Sequence, residues 1–289
     1  MTSPTPRGVA LRAGVGFVVV GTLLGTAIPL AGSASAADSD ARFILTGFSA
    51  PVPVDEVPAS ATAPAVRAGK LALVRTIGYS VQGRKLTARL YGSPAASRVG
   101  VFIGSMHGSE LGGIPVAKRL EKLGAPAGTA MWVIRDLNPD GSARHRRTNA
   151  HKVDLNRNSP HIWQPTARGP EYYPGPSAAS EPETQAYTAF LQAVKPDVVL
   201  IYHQHGNGVD SYRQKNPSLT KGLAKRMKLK VKSFDCSGEC TGTLTGWFNT
   251  TQQGAALTVE LPAKVTTSAV KRWANAARWA IGSVPDVNQ

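Results

Sequence analysis

Val101-Phe102-Ile103-Gly104-Ser105-Met106-His107-Gly108-Ser109-Glu110 joins a short apolar run to a histidine and a carboxylate three residues apart. The run has the length and composition of a strand buried on both faces. The histidine and glutamate directly after it form half of a metal site. Catalytic zinc takes three protein ligands of the His and Asp/Glu type and keeps a fourth position for water, so the close pair needs a distant third partner. Ile201-Tyr202-His203 supplies one. An HxxE pair alone is weak, because a surface His near a surface Glu is common; its weight comes from the rest of the chain.

Three more runs share the character of Val101 to Ser105: Met131 to Ile134, Val198 to Ile201 and Ala256 to Val259. Between and after them, apolar residues recur at helical spacing: Leu111, Ile114, Ala117 and Leu120; Tyr187, Phe190, Leu191 and Val194; Val270, Trp273, Ala274, Ala277 and Ile281. Ser180-Glu181-Pro182-Glu183 reads as a capping box opening the middle helix, with Pro in its first turn where no backbone donor is lost. Ahead of this alternation, Leu71 to Tyr91 reads as paired strands turning at Gln82-Gly83-Arg84. The expected fold is a three-layer α/β/α sandwich around a mixed, mostly parallel sheet.

His107, Asn138, His203 and Glu260 each follow closely on one of the apolar runs, and so fall at the strand ends where open α/β sheets bind ligands. Taken singly, His203 could be a core histidine bonded to the backbone, and Glu260 a rim carboxylate beside a lysine. Yet Glu260 interrupts Leu257-Thr258-Val259-Glu260-Leu261-Pro262, and a charge within a buried run needs a partner.

The start of the chain reads as a leader. Arg7 and Arg12 precede the apolar stretch from Val15 to Leu30, and Ala34-Ser35-Ala36 has the small-x-small pattern of a cleavage site. Residues 1–36 are expected to be an export signal rather than a retained membrane anchor, given the Gly and Ala within the stretch. Residues 37–64, rich in Pro, Ala and Ser, read as a tether, and 65–289 as one catalytic domain.

The 289 residues carry a formal charge of +15; removing Arg7 and Arg12 with the leader leaves 31 basic against 18 acidic residues, or +13. On an exported protein so basic a surface suits an anionic cell-envelope polymer, and nucleic acid is not expected as a partner. Part of the charge lies in Lys221 to Lys232, which reads first as a solvated helix face with Leu219, Leu223 and Met227 turned inward, and second as a polymer-binding patch. Cys236 and Cys240 are the only cysteines. An even count in an exported chain points to a local disulfide, since a second metal site would have only Asp235 and Glu239 to call on.

Between the HxxE pair and His203 lie Asn138-Pro139-Asp140-Gly141 and then Arg147-Thr148-Asn149-Ala150-His151-Lys152-Val153-Asp154-Leu155-Asn156-Arg157-Asn158. With HGSE, SEPET, the strand-ending His and TVELP in the same order, the chain resembles the zinc carboxypeptidases over roughly Arg75 to Ile281. Within that family it is most similar to the bacterial murein peptide amidases, which cleave γ-D-glutamyl to diaminopimelate bonds. The resemblance implies one zinc per chain held by His107, Glu110 and His203, Glu260 as general base and acid, Arg147 steadying the oxyanion, and Asn156 and Arg157 gripping a substrate carboxylate. Together with the export signal, the expectation is a secreted or wall-associated, monomeric enzyme acting on cell-wall peptide. The residue types suit those tasks: a carboxylate shuttles a proton, a guanidinium meets a developing negative oxygen, and a forked Arg matches a planar carboxylate as Lys cannot.

The chain departs from the pattern in two places. Lys152 stands where the family usually has Gly before Val-Asp, and no Tyr lies between Tyr212 and Glu260, so a capping tyrosine has no counterpart. His205 would share a strand face with His203 and is an alternative ligand. The leaving-residue pocket is expected from Cys240 to Phe248, with Tyr202 and Trp247 as either packing or substrate contacts. Two other readings stand beside the amidase: an ordinary carboxypeptidase, and a wall-binding protein on a dead scaffold.

Overall fold

A computed structural model describes residues 70–166, 169–234 and 240–285. The expected export signal and tether fall outside the described residues, as does Cys236. Eight strands form one mixed sheet: β1 (Leu71–Tyr79), β2 (Lys85–Gly92), β3 (Arg98–Ile103), β4 (Thr129–Ile134), β5 (Val198–Gln204), β6 (Gly208–Asp210), β7 (Lys230–Lys232) and β8 (Ala255–Leu261). Their order is β1-β2-β4-β3-β5-β8-β6-β7. The β4-β3-β5-β8 centre is parallel throughout, while β1 and β2 pair antiparallel at one side and β6 runs antiparallel to β8 at the other.

The strand period of two assigns neighbouring side chains to opposite faces. Phe102, Val198, Leu200 and Tyr202 join a core with α1 (Gly113–Leu123), α4 (Pro217–Met227) and α6 (Thr267–Ser283). Val101, Ile103, Val199 and Ile201 join another with α3 (Pro182–Val194) and α5 (Leu244–Thr251). A short helix, α2 (Pro139–Ser142), follows β4. The three-layer sandwich is as expected, and the continuous apolar runs are the strands covered on both faces.

Local chemistry sets the helix starts. Asn216, Thr243 and Thr266 accept from Leu219 N, Gly246 N and Ala269 N at the heads of α4, α5 and α6. The expected capping box at α3 is not formed. Glu181 occupies the cap without a side-chain bond to the helix, and Glu183 instead accepts from Val81 N and Asn149 Nδ2. The charge-rich stretch to Lys232 is also not all helix: Lys228 ends α4 at φ 57°, and Lys230–Lys232 forms the edge strand β7. Leu219, Leu223 and Met227 do turn inward.

Candidate metal centre and catalytic cleft

The site lies where β3, β5 and β8 end side by side. His107 follows β3 by four residues, His203 is the penultimate residue of β5, and Glu260 lies opposite His203 in the β5–β8 register. Glu110 turns back toward His107 through its backbone N–H, which donates to His107 O at 2.9 Å. Gly108 makes that turn possible under the 138–147 segment, because a Cβ there would sit 2.0 Å from the Gly141 carbonyl carbon. Asn138 pins the same segment by donating from Nδ2 to Arg147 O at 3.1 Å.

The candidate ligand atoms form a small triangle. Glu110 Oε2 is 2.9 Å from His107 Nδ1 and 3.0 Å from His203 Nδ1, and the two Nδ1 atoms are 3.2 Å apart. All three side chains are buried. His107 Nε2 lies 2.9 Å from Asp154 Oδ1, so its ring donates outward and directs Nδ1 into the triangle. Two imidazole nitrogens and a carboxylate oxygen this close need protons or a cation between them. The donor set is that of a catalytic zinc site, and these three residues could hold one metal ion. His205 is exposed beyond the end of β5 and is not in the cluster.

Asp154, to which the sequence reading gave no role, holds the cleft together. Fully buried, it accepts through Oδ2 from Arg147 Nε and Nη2 at 3.0 and 2.9 Å, and through Oδ1 from Asn156 N at 2.9 Å. Arg147 also donates from Nη1 to Glu110 Oε1 at 3.0 Å. Burial opposes charge throughout this group, but the charges answer one another. Burial works against charge on His107, yet Glu110 and Asp154 hold its pKa above the ordinary histidine value. Burial would likewise raise Glu110 and Asp154; His107 and His203 keep the first carboxyl far below its usual range, and His107 and Arg147 keep the second there.

Asn156 and Arg157 enter the cleft on a single 3-10 turn, Leu155–Arg157, opened by Asp154. Asn156 Oδ1 accepts from Leu244 N at 3.1 Å, which leaves its Nδ2 as the donor for a ligand. Arg157 donates from Nη1 to Asn156 O at 2.7 Å. Tyr172 lies beneath both cleft arginines, with the guanidinium carbons of Arg147 and Arg157 at 5.0 and 5.8 Å from its ring centre. Lys152 adopts φ 63°, the left-handed conformation that Gly adopts readily, so the loop turns at this residue despite the side chain.

A cavity of about 250 Å³ opens from the ligand triangle past Arg147, Asn156, Arg157 and Glu260. Cys240, Gly242, Thr243, Thr245, Gly246, Asn249 and Thr258 line it as well, so α5 and the segment before it contribute to the cavity. Glu260 Oε2 accepts from Gly206 N at 3.0 Å. Tyr202 and Trp247 are packing residues: Tyr202 rests edge-on against Phe102, and Trp247 against Tyr187 and Phe248. Gln204 was also missed. Its Oε1 accepts from Gly112 N at 2.8 Å and its own N–H donates to Glu110 Oε2 at 3.2 Å, tying the end of β5 to the start of α1.

Residues 126–264 match the zinc carboxypeptidase family. The match spans 139 of the 289 residues and is a likeness to a zinc carboxypeptidase domain. That matched stretch includes Arg147, Asp154, Asn156, Arg157, His203 and Glu260, and the geometry adds His107 and Glu110 from outside it. Murein peptide amidase A of Escherichia coli strain K12 is 32% identical over 124 residues, covering 38% of this chain and 51% of the relative. Its counterpart from Vibrio campbellii is 30% identical over 142 residues, covering 45% and 56%. The chain thus spans about half the length of the curated relatives it matches. Among solved structures, murein-tripeptide amidase from Escherichia coli O157 superposes with a TM-score of 0.61 at 23% identity, covering 73% of this chain and 92% of that one. Carboxypeptidase A from Helicoverpa armigera gives 0.61 at 19% identity, covering 73% and 66%. The zinc carboxypeptidase fold is therefore shared.

Proposed function

We propose that this chain is an exported zinc metallopeptidase of the amidase type, hydrolysing γ-D-glutamyl to diamino acid bonds in bacterial cell-wall peptides. The observation that carries the reading is the convergence of His107 Nδ1, Glu110 Oε2 and His203 Nδ1 beside Glu260, in a domain whose curated relatives are murein peptide amidases. The three ligands would hold one zinc, a Lewis acid that makes water more acidic and polarises a carbonyl. Glu260, which lines the same cavity, takes a proton from the attacking water and returns it to the leaving amine. Arg147, braced by Asp154, offers its guanidinium to the negative charge growing on the carbonyl oxygen. Asn156 and Arg157 bind the free carboxylate of the leaving residue.

Residues 1–36 direct export and are removed, and the mature protein acts at the wall as a monomer. Exposed Lys221, Lys225, Arg226, Lys228 and Lys230 form a basic surface suited to an anionic envelope polymer. No described helix is long and apolar enough to cross a membrane.

The test compares kcat/KM of the zinc-loaded protein on a γ-D-glutamyl-diaminopimelate peptide with that on blocked, α-linked dipeptides. Preference for the γ-linked substrate is expected. Faster cleavage of the dipeptides would make the protein an ordinary carboxypeptidase, and no cleavage of either with zinc bound would leave the binding module.

A further inference from the structure

Asp210 is a buried carboxylate that the chemistry above does not use. It ends β6, the strand running antiparallel to β8, and its own-strand neighbours Gly208 and Val209 pair with Glu260 and Val259 of β8. The residue is 7% exposed, and it lines the cleft cavity with Glu260, Thr245 and Thr258. Oδ1 accepts from Tyr212 N at 2.8 Å and from Phe234 N at 3.1 Å. No cation lies within ion-pair distance of it among the described residues. Burial first, and the nearby Glu260 carboxylate further, push its carboxyl above the ordinary value, which is the environment that a positive charge would relieve.

The rest of the wall sharpens the picture. Thr243, Thr245, Asn249 and Thr258 are neutral and polar, and Thr245 and Thr258 already bond each other at 2.6 Å. Three residues beyond Asp210, Arg213 lines the same cavity from an exposed position, its guanidinium carbon 5.0 Å from the centre of the Tyr212 ring. One short segment thus presents a carboxylate and a guanidinium to the same cavity that Asn156 and Arg157 line.

We propose that Asp210 selects the leaving residue by receiving the ammonium of a diamino acid side chain, with Arg213 receiving the carboxylate carried at the same end. This rests on the amidase reading and adds the groups that would tell diaminopimelate from lysine, and lysine from an apolar residue. An ammonium meeting a buried carboxylate discriminates strongly against a substrate that lacks it, because the carboxylate is then left unpaired.

The test uses the full-length, zinc-loaded protein and calorimetric binding of meso-diaminopimelate, lysine and norleucine. The wild type is expected to bind lysine about tenfold or more tighter than norleucine, and diaminopimelate tighter still. Asp210→Asn keeps an oxygen for Tyr212 N and Phe234 N, so the turn persists while the charge goes; the ratio of lysine to norleucine affinity should collapse toward one. A merely structural Asp210 would weaken all ligands and leave the ratio alone. Arg213→Gln should remove the margin of diaminopimelate over lysine. Equal or undetectable binding of lysine and norleucine to the wild type, or a ratio unchanged in Asp210→Asn, would overturn the proposal. Cleavage assays separate this from the bond assignment: selective lysine binding without γ-glutamyl hydrolysis would fell the amidase reading alone, and γ-glutamyl hydrolysis unaffected by Asp210→Asn would fell the role of Asp210 alone.

Discussion

His203 and Glu260 stand opposite each other in the parallel β5–β8 pair, so a candidate metal ligand and the proposed proton shuttle ride on neighbouring hydrogen-bonded strands. Strands hold side chains more rigidly than loops, and the separation of the two groups is built into the sheet. Their chemical tasks differ, and substitution should separate them. His203→Ala is expected to lose zinc. Glu260→Gln is expected to keep about one zinc per chain while turnover drops roughly 10²–10⁴-fold. Metal analysis and rates decide; tight zinc binding without His203, or near-normal turnover without the Glu260 carboxylate, would reverse the assignment.

Asp154→Asn should weaken zinc binding about 10–100-fold, since it removes the charge that orients His107. It also leaves Arg147 without its buried partner, at a cost to folding of about 3 kcal/mol at neutral pH. The pH dependence has a definite sign. The folded carboxyl titrates far below its unfolded value of about 3.9, so its stabilisation is complete above that pH and is lost as pH falls toward the folded value. Denaturant titrations of metal-free protein should therefore show wild type and variant diverging above pH 4 and converging in stronger acid. A constant gap would contradict the ion pair.

Arg157→Lys keeps the charge but loses the fork. A loss of a few kcal/mol in kcat/KM, on the order of 10²-fold or more, is expected for substrates with a free carboxylate on the leaving residue. Amidating that carboxylate in the substrate should erase most of the difference between wild type and variant. If the difference persists on the amide, Arg157 does something other than grip.

Mass spectrometry of unreduced secreted protein should find Cys236 and Cys240 joined, two hydrogens lighter than the reduced form. Because the loop is short, the chain-entropy gain is modest. Reduction should disturb the cleft, where Cys240 lines the cavity, more than it lowers Tm. Two free thiols would refute the pairing.

N-terminal sequencing of protein recovered from the culture medium or cell wall should begin at Ala37. A retained Met1, or recovery only from the cytoplasm, would contradict export.

Much of the architecture was legible because β3, β4, β5 and β8 are covered on both faces and so read as unbroken apolar runs. The strands β6 and β7 were not, being three residues each, with Lys230 and Lys232 flanking Val231 at an edge. The capping box failed for a long-range reason: Val81 and Asn149 claim the Glu183 carboxylate, and no window around residue 183 contains them. His107 and His203 were legible as polar residues at or just after strand ends and Glu110 by its spacing from His107, whereas Gln204 acts through Gly112 and Glu110, distant in sequence, and Asp154 reaches His107 across 47 residues. For Asp154 a signal did exist, since a histidine ligand calls for an acceptor behind it and this aspartate lies two residues ahead of the proposed carboxylate grip.

The turn Leu155–Arg157 has a mechanical consequence. Asn156 is fastened by its backbone to Asp154, which steers His107, and by its side chain to Leu244, the first residue of the helix that lines the pocket. On the proposed assignment, reaction centre, carboxylate grip and pocket are therefore tied together through Asn156 and Asp154. A leaving residue lengthened by one backbone methylene would then satisfy the grip or the reaction centre but not both, so such a cleft would measure its substrate as well as read its charges.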